Sequence, residues 1–125
     1  MEKKKRVLLV DDEAGIRKII RLFVERDGLE VFEAPSVPEA RKSIEANRPD
    51  LIVLDVLLGG QTGFELCEWI KKESDYSDII VILFTALGQE HDREESRRVG
   101  ADYYFVKPQN PKSISSKIVE LLKEN

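Results

Sequence analysis

Five polar side chains in this sequence lie within two residues after short apolar runs, at the places where buried strands would end. They are two adjacent acids, a third acid, a threonine and a lysine: Asp11, Asp12, Asp55, Thr85 and Lys107. Three carboxylates brought together would repel one another at neutral pH unless a cation lay among them. A hard divalent ion such as Mg2+ binds carboxylates and leaves coordination positions for phosphate oxygens. These residue types therefore predict a phosphoryl-transfer site in which one carboxylate can act as the nucleophile.

The five residues can meet only if the strands before them lie parallel in one sheet. Strand-like runs alternate with segments of helical periodicity along the whole chain, and the runs cover residues 7–10, 29–34, 51–54, 79–84 and 103–106. The second run alternates apolar with acidic residues, as a half-exposed edge strand would. The third run is continuously apolar, which is typical of a strand covered on both faces. Five strands, each followed by a helix, predict an α/β fold with a parallel sheet between two helical layers. In such sheets ligands bind beyond the carboxyl ends of the strands, where these polar residues would lie.

The helices are predicted from apolar spacing and from capping residues. A first amphipathic helix stops near Asp27, and a second begins at Ser36 and fades near Asn47. Ser36 and Thr62 each stand three residues before a glutamate, a capping-box pattern that opens the second and third helices. The fourth helix, over residues 89–99, is almost wholly charged, and the fifth begins at Asn110 and Pro111.

Length and composition exclude several other classes of protein. A chain of 125 residues fits one domain with one core, and its longest apolar runs are too short to span a bilayer. No secretion signal is apparent, and the single cysteine, Cys67, excludes an intramolecular disulfide framework. A formal net charge of −4 argues against direct nucleic-acid binding. We therefore expect a cytoplasmic domain that contacts neither membrane nor nucleic acid.

Four segments together resemble the receiver domain of two-component response regulators, in the CheY-like superfamily. They are VLLVDDE, PDLIVLDVLL, FTA and GADYYFVKP, in this order and spacing, and the resemblance covers essentially the whole chain. It implies a flavodoxin-like (βα)5 three-layer sandwich with strand order 2-1-3-4-5, an order for which receivers are a standard example. We expect residues 1–125 to form a single receiver domain, with no effector domain within the chain.

The resemblance also implies roles for the polar residues. Asp55 would accept a phosphoryl group from a histidine kinase or a histidine phosphotransfer protein, in a reaction that depends on Mg2+ or, alternatively, Mn2+. Asp12 and Asp55 would bind the metal directly, Leu57 through its backbone carbonyl, and Asp11 through water. Lys107 would pair with the acyl phosphate.

Two residues would pass the signal on. Thr85 would hydrogen-bond a phosphate oxygen, and Tyr104 matches an aromatic position that swings inward as the threonine moves. The face made by the fourth helix, fifth strand and fifth helix is the expected output surface. We expect it to contact a downstream effector protein or domain, and it is also a candidate homodimer interface.

Departures from the family pattern bear on the kinetics of the reaction. Gly59 stands where relatives often carry proline, so the loop after Asp55 should be less rigid. Leu57 and Leu87 lie two residues beyond Asp55 and Thr85, where many relatives carry polar residues that can orient a water molecule. We expect these leucines to shield the acyl phosphate and to slow its hydrolysis.

Three functional classes stay open at this point. The leading one is a phosphorylation-activated switch that is not an enzyme beyond intrinsic self-phosphorylation and autodephosphorylation. A Mg2+-dependent phosphohydrolase could also use Asp55 as nucleophile, but such enzymes of the haloacid dehalogenase type want a second acid where Leu57 stands. A receiver-like interaction module would work without phosphate, and the retention of all five chemical positions counts against it.

Overall fold

The computed structural model describes residues 3–107 and 110–123. Helices and strands alternate along this part of the chain: β1 Arg6–Val10, α1 Ala14–Arg26, β2 Glu30–Ala34, α2 Val37–Asn47, β3 Leu51–Leu54, β4 Leu57–Leu58, β5 Gln61–Thr62, α3 Gly63–Lys72, β6 Ile80–Thr85, α4 Glu90–Arg98, β7 Tyr103–Val106 and α5 Pro111–Lys123. Among these described helices, none is both long enough and apolar enough to cross a membrane.

Five of the strands form one parallel sheet in the order β2-β1-β3-β6-β7. The short strands β4 and β5 form a separate antiparallel hairpin. The implied order 2-1-3-4-5 is therefore confirmed when the five strands of the main sheet are numbered alone. The chain leaves β1 toward β2 on one side and continues through β3 on the other, so a crevice opens beyond the carboxyl ends of β1 and β3.

Strand β1 divides its side chains between two cores, because successive residues of a strand point to opposite faces. Leu8 and Val10 join a core to which α2 and α3 contribute, and Val7 and Leu9 join a core to which α1 and α5 contribute. Cys67 on α3 is fully buried in the first core. Helices thus cover both faces of the sheet, and the predicted three-layer α/β fold is confirmed.

The two predicted capping boxes differ in the structure. The Thr62 hydroxyl accepts a hydrogen bond of 3.3 Å from the backbone N–H of Glu65 at the start of α3. Ser36 does precede α2, but its side chain makes no capping hydrogen bond, so that prediction was wrong. Pro38 in the first turn has no N–H to satisfy and fixes φ near its helical value, so α2 begins without a side-chain cap.

Helix α4 is held in place differently from the other helices. Its sequence, EHDREESRR, has no apolar side chain, and its buried residues are Asp92 and Ser96. Val99, just after the helix, enters the core, and Arg98 pairs with Glu68 of α3 at 2.8 Å. Helix α4 therefore rests on the body of the protein through polar contacts and its C-terminal end.

Candidate functional site

The three predicted acids and the lysine meet at the carboxyl edge of the main sheet. Asp11 and Asp12 follow β1, Asp55 follows β3, and Lys107 follows β7. Carboxylate oxygens of the three acids lie within 4.8 Å of one another. Asp11 and Asp55 are 6% and 4% exposed, whereas Asp12 faces solvent. The acidic cluster thus has two buried carboxylates and one that faces solvent.

Lys107 crosses the crevice and contacts both buried acids. Its Nζ lies 2.9 Å from Asp11 Oδ2 and 3.0 Å from Asp55 Oδ2, and its side chain is only 12% exposed. Burial alone would lower the pKa of Lys107, but hydrogen bonds to the two carboxylates outweigh burial and raise the pKa above its usual value. The ammonium group is therefore firmly charged at neutral pH.

The cluster carries more negative charge than its lysine can balance. Burial raises the pKa of Asp11, and the neighbouring Asp55 charge raises it further, against hydrogen bonds from Glu13 N–H and Lys107 that lower it. Three carboxylates with one ammonium leave a formal surplus of two negative charges. Clustered oxygen ligands with this surplus suit a divalent cation such as Mg2+. The residues present therefore fit the predicted metal.

Main-chain contacts fix the segment that carries Asp55. Its backbone N–H donates to the Val10 carbonyl at 2.9 Å, and its Oδ1 accepts from Leu57 N–H at 3.2 Å. Gly63 packs directly behind it, so that a Cβ added at Gly63 would lie 2.2 Å from the Asp55 carbonyl oxygen. Only glycine fits at this position unless the segment that carries Asp55 shifts.

The loop between these two residues forms a hairpin that was not predicted. Leu57 pairs with Thr62 and Leu58 with Gln61, and Gly59 adopts a φ of +68° in the turn. Two-residue strands are too short to leave a periodic pattern in the sequence. Leu57 is 51% exposed, and the expected lower rigidity of this loop stays a prediction.

Thr85 and Tyr104 are connected to the site and to each other. Thr85 is fully buried at the end of β6, and its carbonyl accepts the Lys107 N–H at 2.7 Å. Its hydroxyl accepts the Leu87 N–H at 3.4 Å, and the Tyr104 hydroxyl donates to the Leu87 carbonyl. Arg93 of α4 lies 5.1 Å from the centroid of the Tyr104 ring. A chain of contacts thus runs from the lysine to the α4 side of the sheet.

Two residues at the site were missed by the sequence reasoning. Glu13 donates its N–H to Asp11 Oδ1 at 2.9 Å, and its Oε2 lies 3.9 Å from Lys107 Nζ. Arg17 donates from Nη1 to the Asp11 carbonyl at 2.5 Å and from Nε to Glu33 at 2.8 Å. The run Asp-Asp-Glu could have drawn attention to Glu13. No residue-type pattern points to Arg17, because its contact is with the main chain.

The strand order and the acids and lysine at the sheet edge define a class, the α/β domains of the CheY-like fold. Residues 7–119 match the family model described as the response regulator receiver domain, and the chain belongs to that family. Domains of this family are signalling switches and not classical enzymes, and neither of the other two functional classes is favoured.

Similar proteins agree with this membership. The chain is 38% identical to the phosphate regulon transcriptional regulatory protein PhoB of Pseudomonas aeruginosa over 119 residues, 95% of this chain and 52% of that protein. It is 40% identical to the transcriptional regulatory protein YvrH of Bacillus subtilis over 118 residues, 94% of this chain and 48% of that protein. The chain thus spans about half the length of these relatives. A CheY-like receiver domain protein from Methanospirillum hungatei has a TM-score of 0.88 at 32% identity, covering 98% of this chain and 96% of that one.

Proposed function

We propose that Asp55 is the phosphoacceptor of this switch and that residues 1–125 act as one receiver domain. The observation that carries the proposal is the surplus of negative charge around a buried, lysine-paired carboxylate. Asp55 lies 3.0 Å from Lys107 Nζ and shares its crevice with Asp11 and Asp12. A bound cation would neutralise the surplus negative charge of the cluster. The Asp55 carboxylate could then act as a nucleophile toward phosphorus.

The reaction transfers a phosphoryl group from a histidine side chain of a kinase or phosphotransfer protein. A carboxylate oxygen of Asp55 attacks phosphorus, the P–O bond forms as the P–N bond breaks, and the electron pair returns to the imidazole nitrogen. Mg2+, or Mn2+ in its place, supplies charge neutralisation when bound by Asp12, Asp55 and the Leu57 carbonyl, with Asp11 acting through water. Lys107 exchanges a carboxylate contact for a phosphoryl oxygen.

Phosphorylation then shifts an existing equilibrium. The phosphoryl group brings about −1.5 to −2 charges to Asp55 and attracts Lys107 and the Thr85 hydroxyl. Thr85 now accepts a hydrogen bond from Leu87, and Leu87 accepts one from Tyr104, so a movement of Thr85 disturbs the tyrosine. We place the output on the face formed by α4, β7 and α5, where a downstream effector or a second copy would bind. Helix α4 has no apolar side chain to anchor it, which favours its displacement.

Leu57 and Leu87 set the lifetime of the signal in this proposal, because apolar side chains beside the acyl phosphate cannot orient an attacking water. Substituting both residues, as Leu57→Asn with Leu87→Glu, should speed the loss of phosphoryl group from the labelled protein. Leu22→Asn serves as the control, because Leu22 is an exposed leucine of α1, at 57%. Equal decay rates in the double variant and the wild type would contradict the shielding idea.

The remaining parts of the proposal concern the setting of the domain. We place it in the cytoplasm, where a histidine kinase or phosphotransfer protein can reach it, and without direct contact to nucleic acid. Self-phosphorylation from small acyl phosphates and autodephosphorylation would be its only catalysis. Asp55 would be the acceptor of the phosphoryl group in self-phosphorylation and the leaving group when water removes it in autodephosphorylation.

One labelling experiment separates the three functional classes. The protein is incubated with Mg2+ and acetyl phosphate, and the added phosphoryl group is mapped by mass spectrometry. We expect stoichiometric labelling that is lost in Asp55→Asn and kept in Asp102→Asn, the control at the opposite edge of the sheet. Continuous phosphate release at enzyme-like rates would favour a phosphohydrolase. Absence of labelling with any phosphodonor would favour a phosphate-independent module.

A further inference from the structure

Asp12 is the least supported of the three clustered acids. Its side chain is exposed and makes no hydrogen bond or ion pair within residues 3–107 and 110–123. Asp11 and Asp55, by contrast, both accept hydrogen bonds from Lys107 and from backbone N–H groups. Among the described residues no side-chain contact orients Asp12, so the position of its Cα and Cβ depends on the main chain that carries it.

That main chain is clamped at the preceding peptide group. The Asp11 N–H donates to the Ala34 carbonyl of β2 at 3.2 Å, and the Asp11 carbonyl accepts from Arg17 Nη1 at 2.5 Å. The Asp11 carbonyl and the Asp12 N–H belong to one planar peptide unit. A hydrogen bond from Arg17 to this carbonyl therefore also fixes the orientation of the bond that leads to the Asp12 Cα.

Arg17 is itself held firmly. Its side chain is only 16% exposed, and its Nε lies 2.8 Å from Glu33 Oε1, while Arg21 Nη1 lies 2.7 Å from the other oxygen of Glu33. Burial alone would raise the pKa of Glu33, but hydrogen bonds from Arg21 and Arg17 outweigh it and lower the pKa. The planar guanidinium can contact Glu33 and the Asp11 carbonyl at once, which the single ammonium group of a lysine does less well.

We propose that Arg17 is a positioning residue for the metal, which aims the Asp12 carboxylate at the cation by holding the Asp11–Asp12 peptide. This inference rests on the proposed function, because it takes Asp12 as a direct Mg2+ ligand. The positive charge of Arg17, taken alone, predicts the opposite change in Mg2+ affinity when the residue is removed. A guanidinium near the acidic cluster repels a cation, so its removal would tighten Mg2+ binding if Arg17 acted only through its charge.

The sign of the change in Mg2+ affinity tests the proposal. The dissociation constant of Mg2+ is measured by calorimetry for the wild type, Arg17→Met and Arg21→Met. We expect affinity about 10-fold weaker in Arg17→Met, in line with the loss of a group that orients a metal ligand. Arg21→Met also removes a guanidinium that pairs with Glu33, but it leaves the hydrogen bond to the Asp11 carbonyl in place. The Mg2+ affinity of this variant should therefore be unchanged or slightly tighter.

Two further measurements separate positioning from folding. Arg17→Lys keeps the charge and should still weaken binding, which preserves the test if Arg17→Met does not fold. In metal-free protein, the amide resonance of Asp12 should shift in Arg17→Met and stay in place in Arg21→Met. Equal or tighter Mg2+ binding in both Arg17 variants would overturn this inference but leave the proposed metal site standing. Absence of Mg2+ binding in the wild type would overturn the proposed metal site and this inference with it.

Discussion

Acidic residues lie at both edges of the main sheet, but their partners differ. At one edge each acid has a donor partner, and at the other the acids outnumber the cations. At the amino edge, Asp50 Oδ2 accepts the Arg6 N–H at 2.8 Å. Asp102 Oδ2 accepts the Val81 N–H and pairs with Lys71 Nζ, both at 2.8 Å. Each of these acids is thus matched by donors of the fold itself. Charge at this edge serves to align the beginnings of the strands.

At the carboxyl edge the acids outnumber their partners. Lys107 contacts Asp11 and Asp55, while Asp12 has no side-chain partner among the described residues. Charge left unbalanced in a buried crevice is characteristic of sites that bind a ligand or perform chemistry. The difference between the edges teaches that the presence of acids says little about function, whereas their surplus over cations says much.

Removal of the Lys107 ammonium group from the carboxyl edge should have the largest effect. Lys107→Met leaves the buried carboxylates without a cation, and we expect it to lower the free energy of unfolding by about 3 kcal/mol in metal-free buffer. Mg2+ should restore part of that loss, because the ion relieves the same repulsion. Urea unfolding with and without Mg2+ measures both quantities. A loss of stability that Mg2+ does not reduce would contradict the idea that Lys107 and Mg2+ relieve the same repulsion.

A smaller effect is expected from filling the space behind Asp55. Gly63→Ala places a methyl group against the Asp55 carbonyl, 2.2 Å away before any shift, and should cost about 2 kcal/mol of unfolding free energy. It should also slow labelling of Asp55, because the acceptor segment must move. Gly15→Ala is the matched control, since no atom lies within 4 Å of the added group. Equal stability of the two variants would contradict the close packing of Gly63 against the Asp55 carbonyl.

Loss of the ion pair between Lys71 and Asp102 at the amino edge should lower stability in a way that does not depend on Mg2+. Lys71→Met removes the partner of Asp102 and the hydrogen bond from Nζ to the Ile79 carbonyl, 2.6 Å long. We expect a loss of about 1–2 kcal/mol in unfolding free energy. In contrast to Lys107→Met, Mg2+ should restore none of this loss. Recovery by Mg2+ would mean that the two edges do not differ in the way proposed.

The sequence predicted the sheet and the meeting of its polar residues because both depend on short-range pattern. Continuous apolar runs such as 51–54 mark buried strands, and the rule that parallel strands end at one edge brings Asp55 near Lys107. The distances depend on packing between residues far apart in the chain, as for Lys107 and Asp11, 96 positions apart. No local pattern contains that information.

The missed features have physical reasons of the same kind. The β4–β5 hairpin rests on two pairs of residues around Gly59, too few for a period to be visible. The contact between Arg17 and the Asp11 carbonyl involves a main-chain atom, which every residue type possesses. The absent Ser36 cap shows that α2, with Pro38 in its first turn, begins without the side-chain hydrogen bond that the pattern suggested.

The smallest effect is expected at an acid of the carboxyl edge that does have partners. The pKa of Glu33 lies below its ordinary value of 4.5, so Glu33 stabilises the fold above about that pH and loses its contribution as the pH falls through the lowered pKa. Glu33→Gln should therefore cost about 0.5 kcal/mol at neutral pH and progressively less below pH 4.5. Urea unfolding across this pH range measures the difference, with Glu94→Gln on α4 as control. A difference that grows on acidification would have the wrong sign.

The dependence of stability on Mg2+ tests the contrast between the edges most directly. The free energy of unfolding is measured against Mg2+ concentration for the wild type, Asp12→Asn and Asp102→Asn. A ligand at ten times its dissociation constant stabilises by about 1.4 kcal/mol, and we expect that gain in the wild type and in Asp102→Asn. Asp12→Asn should lose most of it. A wild type that gains nothing, or an Asp12→Asn variant that gains as much, would contradict a metal site at the carboxyl edge.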